Sequence, residues 1–297
     1  MMKKVLIGIP AYNEELNIGV LLDELVDEHL GYDILVVSSG STDRTDEIVG
    51  SFCARCEKIK LIVGKERHGK SSALNIMLRK AEAGGYEIIV YMGADNLPEK
   101  GAIERLIEEF KDSSVGVAGG RPITVDSSHH FWGWIGSLLW NVHHEVSLKE
   151  PKISGELCAY RVGIIREIPL GTVNDDAYIQ LVAFRKGLRS VYVPEAKVRL
   201  KAPTGLKDFV RQRRRITMGH YQLEFLLGTR VSTTHAKRDV QLAWKARPRV
   251  GFLKEVIWMG AFLCISTAVL GLSYLDFLRR KIPYIWDIAT TTKKLDR

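Results

Sequence analysis

Cysteine is scarce in this chain, with four residues among 297. Cys53 and Cys56 form one C-x-x-C pair, whereas Cys158 and Cys264 stand alone. A tetrahedral zinc site needs two further ligands at a matching spacing, and the sequence has no second C-x-x-C and no H-x-x-H. This absence argues against structural zinc and favours reduced thiols in a cytosolic domain, with a local redox pair as the alternative.

The chain also lacks internal repeats, low-complexity tracts and a signal-peptide core. Its first apolar run, Val5–Ile9, meets Pro10 and then polar residues, which is too early for a secretory signal. The hydrophobic share of 46% and the charged share of 26% exclude global disorder. The length suits one large α/β domain with an accessory segment. The net charge of +8 fits an anionic partner (nucleotide, phospholipid head group or nucleic acid) or merely a solvated basic surface.

Apolar runs of strand length alternate with amphipathic stretches of helix length. The predicted strands are Val5–Ile9, Asp33–Val37, Lys60–Val63, Glu87–Met92, Val115–Gly119 and Ser190–Val193. The predicted helices are Glu15–Glu28, Asp43–Cys56, Lys70–Ala83, Lys100–Phe110 and Asp175–Lys186. This alternation predicts a mostly parallel, doubly wound sheet with helices on both faces. Ligands of such sheets bind at the carboxyl ends of the strands.

The C-terminal part has a different composition. Val256–Leu275 contains no Asp, Glu, Lys or Arg, and twenty residues span about 30 Å as a helix, the thickness of a bilayer core. The segment could therefore cross a membrane, lie on anionic lipid, or form a buried helix of a soluble domain. Basic residues flank it on both sides: Lys245, Arg247, Arg249 and Lys254 before it, and Arg279, Arg280 and Lys281 after it. Residues 129–148 carry three tryptophans at helical spacing and suit either a core or a membrane interface.

Polar side chains follow the first two predicted strands. The ring of Tyr12 could stack on a base, and Asn13 and Glu14 could bond a ribose, although a capping turn explains the same residues. In the turn at residues 38–43, Ser41, Thr42 or Asp43 could cap the next helix, whose free N–H groups would suit an anion.

Two further stretches carry charges suited to phosphate chemistry. Lys70 could contact a diphosphate or be a solvated first-turn residue. Asp95 follows the fourth strand after Gly93 and Ala94. It could bind Mg²⁺ or Mn²⁺ carried by a diphosphate, or cap a helix.

Asp175 and Asp176 begin a predicted helix, where its dipole favours negative charge, and one of them could act as a general base. Residues 211–215 read R-Q-R-R-R, which suits a diphosphate or a nucleic-acid stripe. The aromatic interleaving typical of single-strand binding is absent.

In order and spacing these stretches resemble the family 2 inverting glycosyltransferases of the GT-A fold, membrane-associated type. The resemblance runs from about Val5 to about Tyr221. The matching segments are PAYNE, SSGSTDRT, GKSSALN, GADNLP, GELCAYR, NDDAYIQLVAFRKG and QRRRI.

The resemblance implies a role for each matching residue. Asp176 matches the family's base, and Asp95 matches the second acid of its D-x-D metal motif. Gln212 and Arg215 match a Q-x-x-R-W motif. Residues expected to bind the nucleotide sugar are Pro10, Tyr12, Glu14, Ser39, Lys70 and Ala94. Residues expected at the acceptor and diphosphate are Asp175, Gln212, Arg213 and Arg215.

The sequence departs from the family pattern at several positions. Ser38 and Ser39 stand where acids usually contact the base. Gly93 replaces the first acid of D-x-D. Ile216 replaces the tryptophan that processive members carry. Asn174 and Asp175 replace the usual residues before the base.

The resemblance thus predicts metal-dependent transfer of a sugar from a UDP- or GDP-sugar to a hydroxyl or lipid-phosphate acceptor. The expected setting is the cytoplasmic face of the cell membrane, with a membrane surface and a lipid-linked or glycan acceptor as partners and no nucleic acid. The expected division is a GT-A domain at 1–228 and a basic, apolar membrane-associated segment at 229–297. Two alternatives are a catalytically degraded, membrane-tethered nucleotide-sugar binder and a nucleotidyltransferase. A nucleotidyltransferase would need a glycine-rich loop after the first strand, where this chain has IPAYNEE.

Overall fold

A computed structural model describes residues 4–29, 31–228 and 236–279 of the chain. The strands in this part are β1 Val5–Ala11, β2 Asp33–Ser39, β3 Ile59–Gly64, β4 Ile88–Met92, β5 Leu97–Pro98, β6 Val115–Thr124, β7 Leu157–Arg161 and β8 Arg189–Leu200. The helices are α1 Ile18–His29, α2 Thr45–Arg55, α3 Lys70–Ala83, α4 Ala102–Glu108, α5 Phe131–Ser147, α6 Asp175–Arg185, α7 Leu206–Leu227, α8 Ala236–Ala246 and α9 Phe252–Leu278. A 3₁₀ turn at Glu109–Lys111 continues α4.

All of these strands belong to one sheet in the order β3-β2-β1-β4-β7-β6-β8-β5. β1 pairs in parallel with β2 and β4, β2 pairs in parallel with β3, and β6 pairs in parallel with β8. β7 is antiparallel to both of its neighbours, and β5 is antiparallel to β8. The parallel half places the ends of β1, β2 and β4 at one edge, as expected for a ligand site.

Successive residues of the central strands pack on opposite faces of the sheet. Ile7 and Ile9 of β1 pack into a core covered by α1, α2 and α4, whereas Leu6 faces a second core covered by α3 and α6. The strands read as continuous apolar runs because both faces are buried. The α/β class and the helices on both faces, as expected from the sequence, are thereby confirmed.

The sequence prediction missed β5 and β7. Strand β7 is five residues long and lies in the sheet between β4 and β6. Its place is set by antiparallel pairing with these two strands and not by a local pattern. The sheet is consequently less uniformly parallel than the alternation of strands and helices suggested.

The predicted helix positions agree with the structure to within a few residues. α3 has the predicted bounds, whereas α1 and α2 begin two or three residues later than predicted. The difference arises because the residues before α1 and α2 form turns that bond to each other: Glu15 N donates to Asp43 Oδ2 at 3.1 Å.

Helices α5, α7, α8 and α9 share a third hydrophobic cluster beside the sheet. Trp134 of α5 is fully buried there with Phe209 of α7, Ala243 of α8 and Met259 of α9. The ring of Trp134 meets that of Trp258 edge-on at 5.8 Å between centroids. The described part of the 229–297 segment therefore packs on the sheet domain, and the division at 228/229 remains a prediction. Arg280 and Lys281 of the predicted basic flank lie outside the described residues.

Helix α9 is long and apolar enough, by length and composition, to cross a membrane. The core helix of a soluble protein passes the same test, but such a helix is mostly buried. In α9 only 17% of the most apolar window is buried. Large apolar side chains on its surface include Phe252, Leu253, Ile257, Leu270, Leu275 and Leu278.

Candidate functional site

A cleft of about 1430 Å³ opens at the carboxyl ends of β1, β2 and β4. The twelve residues that the resemblance assigned to the site line it: Pro10, Tyr12, Glu14, Ser39, Lys70, Ala94, Asp95, Asp175, Asp176, Gln212, Arg213 and Arg215. In particular, Asp95 and Asp176 open onto the same cleft. Their separate chemical roles remain predictions. Asn13, which could also have bonded a ribose, instead bonds Thr42.

One end of the cleft is built by the loops that follow β1 and β2. Asn13 adopts a left-handed φ of 53°, which asparagine tolerates better than most residues. Its Oδ1 accepts a hydrogen bond from Thr42 N at 2.8 Å, and Glu14 N donates to Thr45 Oγ1 at 2.7 Å. These bonds fix the two loops against each other, so Tyr12 and Glu14 are held at the cleft.

The guanidinium of Arg67 covers the Tyr12 ring at 3.9 Å from its centroid. Arg67 lines the cleft and was missed by the sequence analysis. Ser38, which replaces a family acid, is fully buried and lies 2.9 Å from Ser41, whereas Ser39 lines the cleft. The N-cap residue of α2 is Arg44, which makes no side-chain cap bond, so none of the three predicted residues is the cap. Asp43 precedes it, and its Oδ1 accepts from Thr45 N at 3.0 Å.

Asp95 stands just past β4 in a crowded turn. A Cβ at position 93 would lie 2.8 Å from Asp95 Oδ1, so glycine there permits the observed carboxylate position. Asn96 Nδ2 donates to Glu156 Oε2 at 2.9 Å. Burial and the neighbouring charge of Asp95 raise the pKa of the Glu156 carboxyl. Glu156, in the GELCAYR segment, was not assigned a role from the sequence.

Lys70 and Asp175 form a buried ion pair on the cleft floor. Lys70 Nζ lies 3.1 Å from Asp175 Oδ1, and the Asp175 side chain is 3% exposed. Burial disfavours the Lys70 charge, but the attractions of Asp175, Tyr91 and Asp176 together outweigh it and raise the Lys70 pKa. Burial raises the pKa of Asp175, and Lys70 opposes that rise. The pair ties the start of α3 to the start of α6.

Asp176, the next residue, is held by backbone donors on both oxygens. Gly155 N donates to Oδ2 at 2.8 Å, and Ala177 N donates to Oδ1 at 2.8 Å. These bonds orient the carboxylate from the β7 side and from its own helix. Because each carboxylate oxygen has a second lone pair, Asp176 retains capacity to accept a proton from a ligand.

Helix α7 is bonded to the loop that precedes α6. Val173 N donates to Gln222 Oε1 at 3.0 Å, and Gln222 Nε2 donates to Gly171 O at 2.9 Å. Asn174 Nδ2 donates to Ile216 O at 3.1 Å. These contacts place the arginines of α7 over the cleft floor.

Arg215 lies within electrostatic range of four acids. Burial lowers the pKa of its guanidinium to about 10, although Glu156, Asp175, Asp176 and Asp95 all oppose that effect. Arg214 also lines the cleft, and it binds α9: its Nε donates to Asp276 Oδ2 at 3.0 Å. The arginine run thus joins the cleft to the apolar helix.

The sequence analysis also missed the wall formed by Trp140, His143, Lys152, Ser154 and His220, which we call the histidine wall. Burial, Lys152 and His144 lower the pKa of His143 to about 3. Burial and Lys152 lower the pKa of His220 to about 4. These residues come from α5, α7 and a loop before β7, and no short motif contains them. The signal in the sequence is the pair of histidines at 143 and 144 near the end of the tryptophan-rich helix.

The carboxylates near Asp95 suit a divalent cation that is bound partly by the protein and partly by a ligand's phosphate oxygens. The described residues contain no group of three His, Cys, Asp or Glu side chains able to hold a metal alone. Asp95 lines the cleft close enough to Glu156 for the two negative charges to repel. Mg²⁺ in nucleotide sites commonly takes one or two carboxylates together with phosphate oxygens and water.

The family model for glycosyl transferase family 2 matches residues 6–168, and that for glycosyl transferase family group 2 matches residues 88–289. The first match alone covers more than half of the chain. The chain therefore belongs to glycosyl transferase family 2, and it is a glycosyltransferase by family.

Two curated relatives are similar over most of their length. The probable glycosyltransferase YdaM of Bacillus subtilis is 28% identical over 90% of this chain and 73% of its own length. The undecaprenyl-phosphate mannosyltransferase of Micrococcus luteus is 27% identical over 64% of this chain and 82% of its own length.

Solved structures support the GT-A arrangement. The mannosyltransferase PcManGT from Pyrobaculum calidifontis, in complex with GDP-Man and Mn²⁺, superposes with a TM-score of 0.66 at 20% identity, covering 95% of this chain and 88% of that chain. Glucosyl-3-phosphoglycerate synthase from Mycobacterium tuberculosis, in complex with Mn²⁺, UDP and glucosyl-3-phosphoglycerate, gives a TM-score of 0.53 at 18% identity over 77% of this chain and 82% of that chain. At these identities the likeness shows the fold.

The first prediction concerns the ion pair on the cleft floor. Lys70→Met leaves the buried Asp175 charge without its cation, and we expect a loss of about 3 kcal/mol in the free energy of unfolding. Adding Asp175→Asn should recover part of that loss, because the stranded charge is then removed. Urea denaturation checks both, with Lys80→Met, an exposed position on α3, as the matched control. Equal stabilities of the Lys70→Met and Lys80→Met variants would contradict the pair's structural role.

The second prediction concerns the pH dependence of stability that the two buried histidines of the wall cause. Between pH 6.5 and about 4, an unfolded chain protonates His143 and His220 while the folded chain keeps them neutral. The stability that the neutral rings confer is therefore fully present above pH 6.5. As the pH is lowered below 6.5, the free energy of unfolding decreases by about 1.4 kcal/mol per pH unit for each histidine. His143→Phe should make the slope of unfolding free energy against pH shallower, and His129→Phe, at an exposed position, should not. Parallel curves for wild type and His143→Phe from pH 7 to 5 would contradict this.

Proposed function

We propose that this chain is an inverting glycosyltransferase that moves a sugar from a UDP- or GDP-sugar to a hydroxyl or lipid-phosphate acceptor at the cytoplasmic face of a membrane. The observation that carries the proposal is the convergence of Asp95, Asp176 and Arg215 in one cleft. The solved relatives bind GDP-Man or UDP with Mn²⁺, and one curated relative is named for transfer to undecaprenyl phosphate.

The nucleotide is proposed to lie at the ends of β1 and β2. There Tyr12, Glu14 and Ser39 line the cleft, with Pro10 beneath them. The stacked pair of Tyr12 and Arg67 offers a flat cationic surface for a base or a phosphate. Lys70, whose charge is engaged by Asp175, contributes through the ion pair that shapes the floor.

The proposed reaction is a single displacement at the anomeric carbon. Asp176 accepts the proton of the acceptor hydroxyl as its oxygen attacks the sugar from the face opposite the nucleotide. The bond from C1 to the diphosphate oxygen breaks, and the nucleoside diphosphate leaves with the electron pair. Arg213 and Arg215 stabilise the charge that develops on that leaving group, with Gln212 beside them as a hydrogen-bonding group.

Asp95 would hold a divalent cation, Mg²⁺ or Mn²⁺, together with the diphosphate. When bound, such an ion supplies positive charge that favours departure of the diphosphate. Ala94 and Gly93 add little bulk beside Asp95, so a diphosphate can approach that carboxylate closely. Gln212 and Arg215 are proposed as a Q-x-x-R pair, with Ile216 in place of the tryptophan of the longer motif.

The proposed membrane contact is made by α9 and the basic residues before it. α9 is fixed to the catalytic part by the Arg214–Asp276 ion pair and by Tyr221, whose ring lies 5.4 Å from that of Phe277. Its exposed apolar side chains would be shielded from water by lipid. This geometry would bring the cleft close to membrane-bound acceptors.

The third prediction tests catalysis. Turnover is first sought with UDP-, GDP- and dTDP-sugars, Mn²⁺ and a polyprenyl phosphate or glycan acceptor. Asp176→Asn should lower the transfer rate by about 10² to 10⁴-fold, because the acceptor loses its general base. Metal-dependent stabilisation by the nucleotide should be retained. Asp27→Asn, at an exposed position of α1, serves as the control.

The outcomes of this experiment separate enzyme from binder. Nucleotide binding without transfer in the wild-type chain would favour a catalytically degraded binder. If folded wild-type protein shows no turnover with any of these sugar nucleotides, the proposed function is overturned. Full activity in Asp176→Asn would remove that residue as the base.

The fourth prediction tests the membrane contact. Vesicles of phosphatidylcholine and phosphatidylglycerol should carry the full chain upward in a density gradient. Ile257→Asp with Leu270→Asp, at positions 60% and 53% exposed, should lower the floating fraction by more than about tenfold, since each aspartate opposes burial in lipid. Leu170→Asp, at a position 71% exposed elsewhere, should float as wild type does. Wild-type protein that stays at the bottom of the gradient would refute the contact.

A further inference from the structure

The histidine wall contains buried polar atoms that lack hydrogen-bond partners among the described residues. These atoms are both ring nitrogens of His143, Nδ1 of His220 and Oγ of Ser154. Buried polar atoms are nearly always bonded, and an unmade bond destabilises the folded protein. A group of them lining one cleft wall therefore indicates a surface shaped for a ligand's polar groups.

The wall adjoins Asp176. His220 is close enough to Asp176 for the carboxylate charge to act on its ring. Ser154 immediately precedes Gly155, whose N–H holds Asp176 Oδ2 at 2.8 Å. A ligand on this wall would consequently present its atoms to the carboxylate proposed as the base.

The wall lies away from the proposed nucleotide end. His143 and Trp140 belong to α5, which packs on β6. In the sheet, β4 and β7 separate β6 from β1, whose end carries Tyr12 and Glu14. Along the sheet, the wall and the nucleotide end therefore occupy different parts of the same cleft.

The two imidazoles of the wall suit hydroxyl groups, which can use both the donor and the acceptor of each ring. Burial beside Lys152 keeps both imidazoles neutral at pH 7. A neutral imidazole has one N–H donor and one lone pair, which a hydroxyl can satisfy because it both donates and accepts. An ionised phosphate oxygen only accepts. Lys152, which also belongs to the wall, and one N–H of each ring could bond it, but the lone pair of each ring would stay unpaired.

An aromatic surface completes the wall. The ring of Trp140 meets that of His143 edge-on, with 5.5 Å between centroids, and both residues line the cleft. An indole ring buries a large apolar area and suits the C–H face of a sugar, while the imidazoles and Ser154 suit its hydroxyls. A lipid-phosphate head group has no such amphipathic ring.

We propose that the histidine wall binds a sugar ring of the acceptor and directs one of its hydroxyls to Asp176, so that the acceptor is a glycan hydroxyl and not a phosphate. The inference rests on the proposed function, because it takes Asp176 as the base. It narrows that function from two acceptor classes to one. His143 is a specificity-determining contact, and Ser154 and His220 bond the same ring.

The experiment measures ligand binding separately from transfer. We would measure binding by saturation-transfer NMR on the full chain in detergent, in the presence of Mg²⁺ and UDP or GDP. The probes are the methyl glycosides of glucose, galactose, mannose and N-acetylglucosamine. Farnesyl phosphate is the anionic probe. We expect at least one glycoside to bind. His143→Phe should weaken it by about tenfold or more, because the ring nitrogens are lost while the ring shape is kept.

Two further variants exclude a merely structural effect. His143→Gln keeps a donor and an acceptor, and it should bind the glycoside within about threefold of wild type. His129→Phe, at an exposed position outside the wall, should leave glycoside binding unchanged. Farnesyl phosphate should respond alike in wild type and His143→Phe.

The result distinguishes failure of this inference from failure of the proposed function. Transfer from a nucleotide sugar to farnesyl phosphate, with no glycoside binding, would overturn the inference and leave the function intact. Equal glycoside affinity in wild type and His143→Phe would also overturn it. If the chain binds a glycoside through His143 but binds no nucleotide, the sugar site is supported and the proposed transferase function is refuted.

Discussion

A buried ion pair, Lys70 with Asp175, holds the floor of the cleft on which the rest of the site depends. It joins the start of α3 to the start of α6 and thereby positions Asp176, which is held on both oxygens by backbone N–H groups. Arg215, on α7, offsets the negative charge of Asp95, Glu156, Asp175 and Asp176. Without these two cations, the crowded carboxylates of the cleft would repel one another in a poorly solvated place.

Helix α7 connects this charged floor to the apolar helix α9. Hydrogen bonds from Gln222 fix it to the loop before α6, and the Arg214–Asp276 pair fixes it to α9. A single rigid helix therefore faces the proposed leaving group on one side and the proposed membrane contact on another. In this arrangement a water-soluble donor and a membrane-presented acceptor could meet in one cleft.

Much of the fold followed from the sequence, because β1 to β4 are continuous apolar runs separated by amphipathic helices. The bounds of α3 agreed to the residue. Strand β7 did not follow from the sequence, since its place depends on antiparallel pairing with β4 and β6, which lie far from it in the chain. The site residues were foreseeable where they stand in motifs after strands. His143 and His220 were not, because they stand in no such motif. Glu156 stands in the GELCAYR segment, but only the fold places it beside Asp95.

The sequence by itself determined the alternation of elements and hence the edge of the sheet at which Asp95 and Tyr12 emerge. Local spacing suffices for this, because a parallel strand followed by a crossover helix leaves its carboxyl end at one common edge. Only the tertiary structure decided which charges are neutralised and which polar groups stay unpaired. Those properties arise from contacts between segments distant in the chain, such as α3 with α6 and α5 with α7, and burial makes each such contact matter.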